Sequence, residues 1–423
     1  MKIAIIGSGV SGLAAARTLD AKHTVTIFEK APRLGGHAHT VHAKFGDKTV
    51  PVDVGFIVFN RLTYPLFSRA LRDLKVKVRA TRMAFSVQIE SEDFEWGTTG
   101  INAALAQIRN LVSYKFYRMI FDIMRFFRIS NASLESSALD GLTAGQFLRK
   151  HSFSSAFEER FFVPMCRSIW SSSKQEVLEY PAYTLLNFLQ EHGLLSFKQP
   201  IWLTVQGGSE HYVNAIQKEL SAEILTNCEV TSVARGEGKV VVRDSTGAKH
   251  SFDHVIFACH APDVLRLLEN PSEEEQSVLG AFRYTRNSVI LHSDPSFMPK
   301  NKSAWSSWNY FEPENAEDEH SSAVTLTYWM NFIQHISNDT PLFVTLNPPA
   351  DKAIKKIHDE FQFDHPQFNQ DAISSQSKLD LIQGNNGVWF CGAYTRYGFH
   401  EDGWSSGTSI ASRVMQQAFQ DKY

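Results

Sequence analysis

Three glycines near the start of the chain are spaced to bind a ligand that carries phosphate. They lie between an apolar run at 3–6 and an alanine-rich segment at 13–19, in the stretch Gly7-Ser8-Gly9-Val10-Ser11-Gly12. In a strand–turn–helix unit the first glycine makes a tight turn, the second admits a pyrophosphate to the backbone, and the third lets helix and strand pack closely. The N-terminus of such a helix offers free N–H groups and partial positive charge, which suit a diphosphate.

A carboxylate follows at the position where the ribose of a dinucleotide would bind. Residues 24–28 form a second apolar run, which ends at Glu29, 17 residues after Gly12. A carboxylate there can accept hydrogen bonds from both ribose hydroxyls and disfavours a 2′-phosphate. Strand, helix, second strand and acid together predict a dinucleotide-binding βαβ unit.

Composition limits what the rest of the chain can be. The 423 residues are 43% hydrophobic and 21% charged, which is enough for a large core in about two domains. The formal net charge of −3 gives no reason to expect a nucleic-acid partner. Four scattered cysteines without a CxxC pair predict a reducing cytoplasm, no disulfide and no metal site. No apolar run approaches the ~20 residues that span a bilayer.

The residues that follow Glu29 distinguish FAD from NAD. An Arg-x-Gly-Gly pattern lies at 33–36, and a strand ending in Gly-Phe lies at 52–56. These motifs resemble the FAD-binding signature of the amine-oxidase-like flavoproteins, a group that includes amine oxidases, protoporphyrinogen oxidases and carotene desaturases. The resemblance implies FAD as the cofactor. It implies FAD contacts at Lys30, Arg33, Gly35, Gly36, His37, Gly55 and Phe56.

The resemblance extends over the whole chain and implies further FAD contacts. Val230 matches a valine whose backbone pairs with adenine in the family, and a late strand ends in Gly392 and Ala393. A last helix is expected to open at Trp404 and Ser405, with its dipole directed at the pyrimidine edge of the flavin.

The fold that the resemblance implies is α/β. It combines a Rossmann-like FAD-binding domain, built on a parallel sheet with the βαβ unit, and an interleaved α+β substrate domain, built on a mixed sheet and helices. The FAD-binding domain is expected in three segments and the substrate domain in two. In chain order the alternating segments are 1–75, 76–203, 204–275, 276–385 and 386–423, beginning with the FAD-binding domain.

Within this family the chain is most similar to a bacterial subgroup whose genes often lie beside that of a cyclopropane-fatty-acid synthase. The likeness is carried by the stretches 55–60, 258–261, 304–310, 328–331 and 397–403. It implies an apolar small-molecule or acyl-lipid substrate, with a lipid-modifying enzyme as a candidate partner.

Two candidate catalytic positions bear on the reaction. Amine oxidases of the family hold a lysine near flavin N5, where the strand 286–292 here places Asn287 or Ser288, and Trp404 matches one of the two aromatics that frame an amine. This departure favours oxidation or desaturation of an acyl chain by hydride transfer to flavin N5. Oxidation of an amine is one alternative. A non-catalytic, flavin-bound partner of a lipid-modifying enzyme is the alternative of another class.

His400 is the third candidate catalytic residue. It lies beside Glu401 and Asp402, in a loop expected just before the last helix. A neighbouring carboxylate would tune the pKa of the imidazole near neutrality for proton transfer, whereas a structural histidine is the alternative. The three histidines within 37–42 have no carboxylate or cysteine at ligand spacing, so no metal is expected there.

The segment 115–129 has an apolar face too wide for an ordinary surface helix. It is either a helix buried in the substrate domain, or a helix that borders an apolar tunnel and rests on the inner face of the membrane. In the second case Lys115, Arg118, Arg125 and Arg128 would meet lipid phosphate.

Overall fold

The computed structural model describes residues 1–170, 172–196, 200–314 and 324–420. Its first sheet has five parallel strands, whose buried apolar residues are covered on both faces, as parallel sheets require. In spatial order these strands are Glu223–Leu225 (β10), Thr24–Phe28 (β2), Lys2–Ile6 (β1), His254–Phe257 (β14) and Val388–Phe390 (β20). The predicted βαβ unit is present, because the helix Val10–Leu19 (α1) connects β1 to β2.

The second sheet has seven strands and is mixed. Its order is Ile357–Pro366 (β19), Tyr284–His292 (β15), Phe343–Leu346 (β18), Thr325–Trp329 (β17), Trp308–Glu312 (β16), Phe85–Ile89 (β7) and Phe94–Gly97 (β8). All neighbours are antiparallel except β16 and β7, which run parallel. A parallel sheet joined to a mixed sheet confirms the predicted fold class.

Three smaller sheets connect these two layers. They are Val230–Arg235 (β11) with Val240–Asp244 (β12) and Lys249–Phe252 (β13), Thr40–Phe45 (β3) with Lys48–Asp53 (β4), and Phe59–Asn60 (β5) with Trp202–Val205 (β9) and Val78–Thr81 (β6). The hairpin of β12 and β13 turns at Gly247, whose φ is +86°.

Fourteen further α-helices lie in the described ranges. In chain order they are Pro65–Asp73 (α2), Ile101–Ala104 (α3), Tyr114–Leu134 (α4), Ala144–Lys150 (α5), Ser155–Phe157 (α6), Val163–Trp170 (α7), Lys174–Glu179 (α8), Ala182–Glu191 (α9), Glu210–Glu219 (α10), Ala261–Leu267 (α11), Glu273–Gly280 (α12), Met330–Ile333 (α13), Gln370–Gln376 (α14) and His400–Gln420 (α15). None of the described helices combines the length and the apolar character needed to cross a membrane.

The largest core joins the seven-stranded sheet to the helices of the substrate half. Phe126 of α4 is fully buried and packs against Phe157 and Phe162, with ring centroids 5.3 and 5.4 Å away. One face of α4 is therefore core, as the first of the two interpretations of this segment predicts.

Two features of α4 differ from the sequence expectation. The helix extends from Tyr114 to Leu134, beyond the segment 115–129. Asp122 is fully buried and accepts hydrogen bonds from Nε of Arg118 and Nη1 of Arg125. These two partly exposed arginines are therefore paired with a buried carboxylate, and their guanidinium groups lie 5.9 Å from the centre of the exposed ring of Phe121.

The last helix also begins earlier than predicted. α15 starts at His400 rather than Trp404, and a 3-10 turn at Ala393–Thr395 precedes it. Glu401 and Asp402 lie in its first turn, where carboxylates interact favourably with the helix dipole. The glycine at 403, which suggested a loop, is a packing residue inside the helix.

Candidate cofactor and substrate site

The glycine-rich loop has the geometry of a phosphate cradle. A Cβ on Gly7, whose φ is +99°, would lie 2.9 Å from the carbonyl oxygen of Ala258, and one on Gly12 would lie 2.0 Å from the carbonyl oxygen of Gly7. A Cβ on Gly9 would meet no atom within 4 Å. Gly9 is also the N-cap of α1, and no side chain caps this helix or brings an acid to its first turn. The backbone of Gly9, Val10 and Ser11 therefore fits a pyrophosphate at an open helix N-terminus.

Glu29 lies at the end of β2 against this loop. Its Oε2 accepts hydrogen bonds from the backbone N–H and the hydroxyl of Ser8, at 2.9 and 2.6 Å, and its Oε1 accepts one from the N–H of Ala31. A carboxylate has about four acceptor positions, so capacity for a ribose remains. Val230 begins β11 nearby and shares a core cluster with Phe28.

The Arg-x-Gly-Gly turn touches the glycine-rich loop directly. The N–H of Gly35 donates to the carbonyl of Ser8 at 2.9 Å, and a Cβ on Gly36 would lie 3.0 Å from Cα of Gly9. Arg33 donates from Nη2 to the carbonyl of Gly36 at 2.8 Å and from Nη1 to two neighbouring carbonyls. The guanidinium thus fixes the turn from within, while Lys30 is exposed at its rim.

Gly55 and Phe56 lie against the same turn. The N–H of Phe56 donates to the carbonyl of His37 at 2.8 Å, and a Cβ on Gly55 would lie 2.2 Å from that oxygen. The ring of Phe56 stacks on His400, with centroids 3.7 Å apart and planes 9° apart. The structure thus brings His400 close to the predicted FAD residues.

The near-neutral pKa predicted for His400 is wrong. Nε2 of His400 lies 2.8 Å from the hydroxyl of Tyr212, and burial lowers the pKa of the imidazole to about 3. The neighbouring carboxylates are used elsewhere. Glu401 accepts hydrogen bonds from two backbone N–H groups at the start of α2, and Asp402 accepts those of Tyr397 and Phe399. His400 is therefore a packed, neutral side chain.

The C-terminal helix packs against α1 through small residues. A Cβ on Gly407 would lie 2.0 Å from the carbonyl oxygen of Ser11, and one on Gly403 would lie 2.6 Å from Cγ1 of Val10. The N–H of Gly392 donates to the hydroxyl of Ser406 at 3.1 Å. Two glycines four residues apart thus place the start of α15 beside the phosphate cradle.

The remaining predicted residues near the start of α15 differ in their solvent exposure. Ala393 and Ser405 are half-buried near the start of α15. Trp404 is 5% exposed, and its ring meets the edge of Phe67 with centroids 5.7 Å apart. Trp404 therefore belongs to a buried aromatic cluster.

Asn287 lies on the substrate sheet, where it contacts a histidine that the sequence did not indicate. It is fully buried on β15, and its Nδ2 lies 3.1 Å from Nδ1 of His365 on β19. Asn347 fixes the amide, because its Oδ1 accepts the N–H of Ser288 and its Nδ2 donates to Oδ1 of Asn287. Nδ2 of Asn287 must then donate to His365, so that Nδ1 is the acceptor and Nε2 carries the proton.

His37, one of the predicted FAD residues, lies close to this pair. The ring of His37 lies 5.7 Å from that of His365, 6.1 Å from that of His260 and 4.9 Å from that of Phe363. All three imidazoles are half-buried. Burial lowers the pKa of His365 to about 4, and burial together with the other two imidazoles lowers the pKa of His37 well below its usual range. The cluster is therefore neutral.

The sequence contained one weak signal for His365, although two of its neighbours, His37 and Asn287, are predicted site residues. Phe361, Phe363 and His365 alternate along β19, which indicates one face of a strand, but the charged residues between them obscure the pattern. The contacts of Asn347 depend on strand pairing and those of His260 on packing of the N-cap of α11, so no local motif encodes either.

A second missed residue is a buried carboxylate beside the cradle. Asp53 accepts hydrogen bonds from the hydroxyls of Thr40 and Ser209 and from the N–H of Ser209, at 2.6 to 2.8 Å. Gln334 donates to its other oxygen at 2.9 Å. Burial raises the pKa of Asp53 to about 6 despite these hydrogen bonds. Asp53 thus ties β4, the start of α10 and the substrate half together.

Comparison with known proteins places the chain in a family. The model of the family described as flavin containing amine oxidoreductase matches residues 10–365. L-amino-acid oxidase of Mus musculus is 24% identical over 324 residues, which are 69% of this chain and 47% of that protein. Probable polyamine oxidase 4 of Arabidopsis thaliana is 50% identical over 54 residues, 12% of this chain and 10% of that protein. The matches thus span less than half the length of these curated relatives.

Solved structures share the fold over nearly the whole chain. A conjugated-linoleic-acid (CLA)-producing fatty acid isomerase from P. acnes aligns with a TM-score of 0.71 at 15% identity, covering 97% of this chain and 98% of that one. A putrescine oxidase mutant aligns with a TM-score of 0.70 at 15% identity, covering 98% and 99%. At this identity the likeness shows the fold alone.

Proposed function

The chain belongs to the flavin containing amine oxidoreductase family, for which FAD is the cofactor, and we propose that it oxidises an apolar acyl chain rather than an amine. The reaction removes a hydride and a proton from adjacent carbons and leaves a double bond; the proton passes to solvent. Bound FAD supplies the two-electron acceptor. The chain's own residues hold FAD at the glycine cradle, Glu29 and the Arg-x-Gly-Gly turn, and orient the substrate at the face of β15 and β19.

The observation that carries the proposal is the neutrality of this face. His37 and His365 have lowered pKa values, and Asn287 is an amide. Phe361 and Phe363 extend the same face towards His39. An ammonium ion taken out of water needs a charged or multiply hydrogen-bonding partner, whereas an acyl chain needs only apolar contact.

The nearest acids in sequence act to raise the pKa values of His260 and His365, but burial outweighs them and both pKa values are lowered. Asp364 points to the opposite face of β19 and pairs with Arg286, and Asp263 pairs with Arg266. Among the described residues, the hydrogen bonds of Asn287 and His365 include no carboxylate. A fatty acid isomerase has the same fold, which supports the proposal that this fold can accept an acyl substrate.

An amine remains the second candidate, favoured by the family's name and by the putrescine oxidase likeness. The deciding experiment is an anaerobic titration of the purified, FAD-loaded protein with phospholipid vesicles or with putrescine and other amines. Flavin absorbance is followed, and lipids are analysed by mass spectrometry. We expect bleaching with lipid only, together with a loss of two hydrogens from an acyl chain.

Two other outcomes have different meanings. Bleaching by amines alone, with peroxide release in air, would replace the acyl proposal by amine oxidation. A flavin that dithionite reduces but no lipid or amine reduces would favour the non-catalytic role beside a lipid-modifying enzyme.

A further inference from the structure

One face of α4 is apolar and open to solvent. Tyr114, Tyr117, Phe121 and Met124 are 78%, 52%, 51% and 47% exposed. Their spacing of three, four and three residues places them on one stripe of the helix. The opposite side of α4 is core, so the stripe is not a consequence of an unfolded or loosely packed segment.

The turn before α4 extends this surface. Ile108, Leu111 and Val112 of the 3-10 turn Ile108–Val112 are 83%, 46% and 85% exposed. The hydroxyl of Tyr117 donates to the carbonyl of Leu111 at 2.9 Å, which joins turn and helix. We call these seven residues, Ile108, Leu111, Val112, Tyr114, Tyr117, Phe121 and Met124, the α4 apolar surface.

A buried side-chain hydrogen bond holds the turn in place. Asn110 is buried, and its Nδ2 donates to the carbonyl of Glu95 at 3.0 Å. The exposed side chains therefore project from a fixed backbone. Monomeric soluble proteins seldom expose so many neighbouring large apolar residues without a binding role.

The exposed charges of α4 are positive, and Asp93, which lies beside the turn, is paired with Arg109 and Lys300. Lys115 and Arg128 are exposed, and Arg128 continues the stripe four residues after Met124. Asp122, the acid within Tyr114–Leu134, is fully buried between Arg118 and Arg125. The solvent face of α4 thus combines aromatic and aliphatic side chains with cations and no exposed acid.

We propose that the α4 apolar surface docks this protein on an anionic lipid bilayer. Tyrosine and phenylalanine rings suit the boundary between headgroups and acyl chains, and Lys115 and Arg128 suit lipid phosphate. A protein partner could pair acids with the cations. A membrane surface matches both the cations and the apolar stripe along α4. Docking would bring acyl chains to the substrate half of the molecule, which contains α4.

The test is co-sedimentation of the full FAD-loaded chain with vesicles. Neutral phosphatidylcholine vesicles are compared with vesicles containing anionic phosphatidylglycerol, at low and high salt. The apolar variant is Tyr117→Ser, Phe121→Ser, Met124→Ser, and the charge variant is Lys115→Gln, Arg128→Gln. The matched control is Leu62→Ser, Leu381→Ser, because these leucines are 72% and 66% exposed on other elements.

Wild type and control should bind anionic vesicles best at low salt. The charge variant should bind them about 25-fold more weakly at low salt, from about fivefold for each cation, and equally at high salt. The apolar variant should lose binding to both vesicle types. Thermal unfolding and flavin content are measured for each variant, so that misfolding is recognised.

Two results would overturn the proposal. One is absence of wild-type binding to any vesicle, or equal binding by all four proteins. The other is a wild-type dimer in light scattering that the apolar variant converts to a monomer, with no vesicle binding, which would make this surface an interface between copies of the chain. Vesicle binding is measured without turnover, so its failure and the failure of acyl oxidation are separate outcomes.

Discussion

The side-chain amide of Asn287 lies 3.1 Å from Nδ1 of His365, across the paired strands β15 and β19. Asn347 fixes the orientation of this amide, because it accepts the backbone N–H of Ser288 and donates to Oδ1 of Asn287. A fixed backbone donor thus determines which nitrogen of His365 carries a proton. The strand 286–292, where the family resemblance implies a lysine, here carries an amide that contacts a neutral histidine of defined tautomer on β19.

Removing this amide should raise the pKa of His365. Donation from Asn287 stabilises the neutral imidazole, so Asn287→Ala is expected to raise the pKa from about 4 by roughly one unit, or about 1.4 kcal/mol. The measurement is a pH titration of ¹⁵N-labelled histidine by NMR, with His365→Gln to assign the signal. Asn187→Ala, which removes an amide from a contact with Tyr397, is the control and should leave this signal unchanged.

Asp53 should make a distinctive contribution to the dependence of stability on pH. Its pKa is raised from 3.8 to about 6 in the folded chain, so the folded state holds this proton more tightly than the unfolded state. Stability from this group is therefore fully present below about pH 4 and is lost as pH rises to about 6. Asn at this position keeps acceptors for Thr40 and Ser209 but does not titrate.

The free energy of unfolding of wild type minus that of Asp53→Asn should therefore fall as pH rises from about 4 to 6. We expect a change on the order of 2 kcal/mol, and a constant difference above pH 7. Urea unfolding of both proteins across this range measures it. A difference that does not vary with pH, or that rises, would show that folding does not raise the pKa of Asp53.

The cofactor side of the molecule was largely predictable from the sequence because its signals are local. The glycine-rich loop, Glu29 and the Arg-x-Gly-Gly turn each specify a backbone conformation within a few residues, and the structure brings all three into contact. The substrate face was not predictable in the same way. Asn287 and His365 are 78 residues apart and meet only through strand pairing.

Two errors have one physical origin. Gly403 was expected in the loop before the last helix, whereas its lack of a side chain allows α15 to pack on α1. The carboxylates beside His400 suggested a near-neutral pKa, whereas Glu401 binds two backbone N–H groups at the start of α2 and Asp402 binds those of Tyr397 and Phe399. The contacts of Gly403 with α1 and of Glu401 with α2 are tertiary, and no short stretch encodes them.

Glu29→Ala should weaken retention of FAD while leaving the fold intact. A hydrogen bond to a charged group contributes roughly 1.5–3 kcal/mol, so the dissociation constant should rise about ten- to a hundredfold. Fluorescence titration of the apoprotein with FAD measures this. Glu219→Ala, which removes an exposed partner of Arg17, is the control and should bind FAD as wild type does. Unchanged FAD affinity in Glu29→Ala would mean that this carboxylate does not bind the ribose.

Two glycine-to-alanine changes should separate cofactor binding from folding. A Cβ at Gly9 meets no atom within 4 Å, so Gly9→Ala should leave the unfolding free energy of the apoprotein within about 1 kcal/mol of wild type but greatly weaken FAD binding.

A Cβ at Gly407 would lie 2.0 Å from the carbonyl oxygen of Ser11, so Gly407→Ala should destabilise the apoprotein by roughly 1–3 kcal/mol, although alanine favours helix. Denaturant unfolding with and without FAD distinguishes the two. If Gly9→Ala retains normal FAD affinity, the pyrophosphate does not bind at the open N-terminus of α1; if Gly407→Ala is as stable as wild type, close packing of α1 and α15 does not hold the cradle in place.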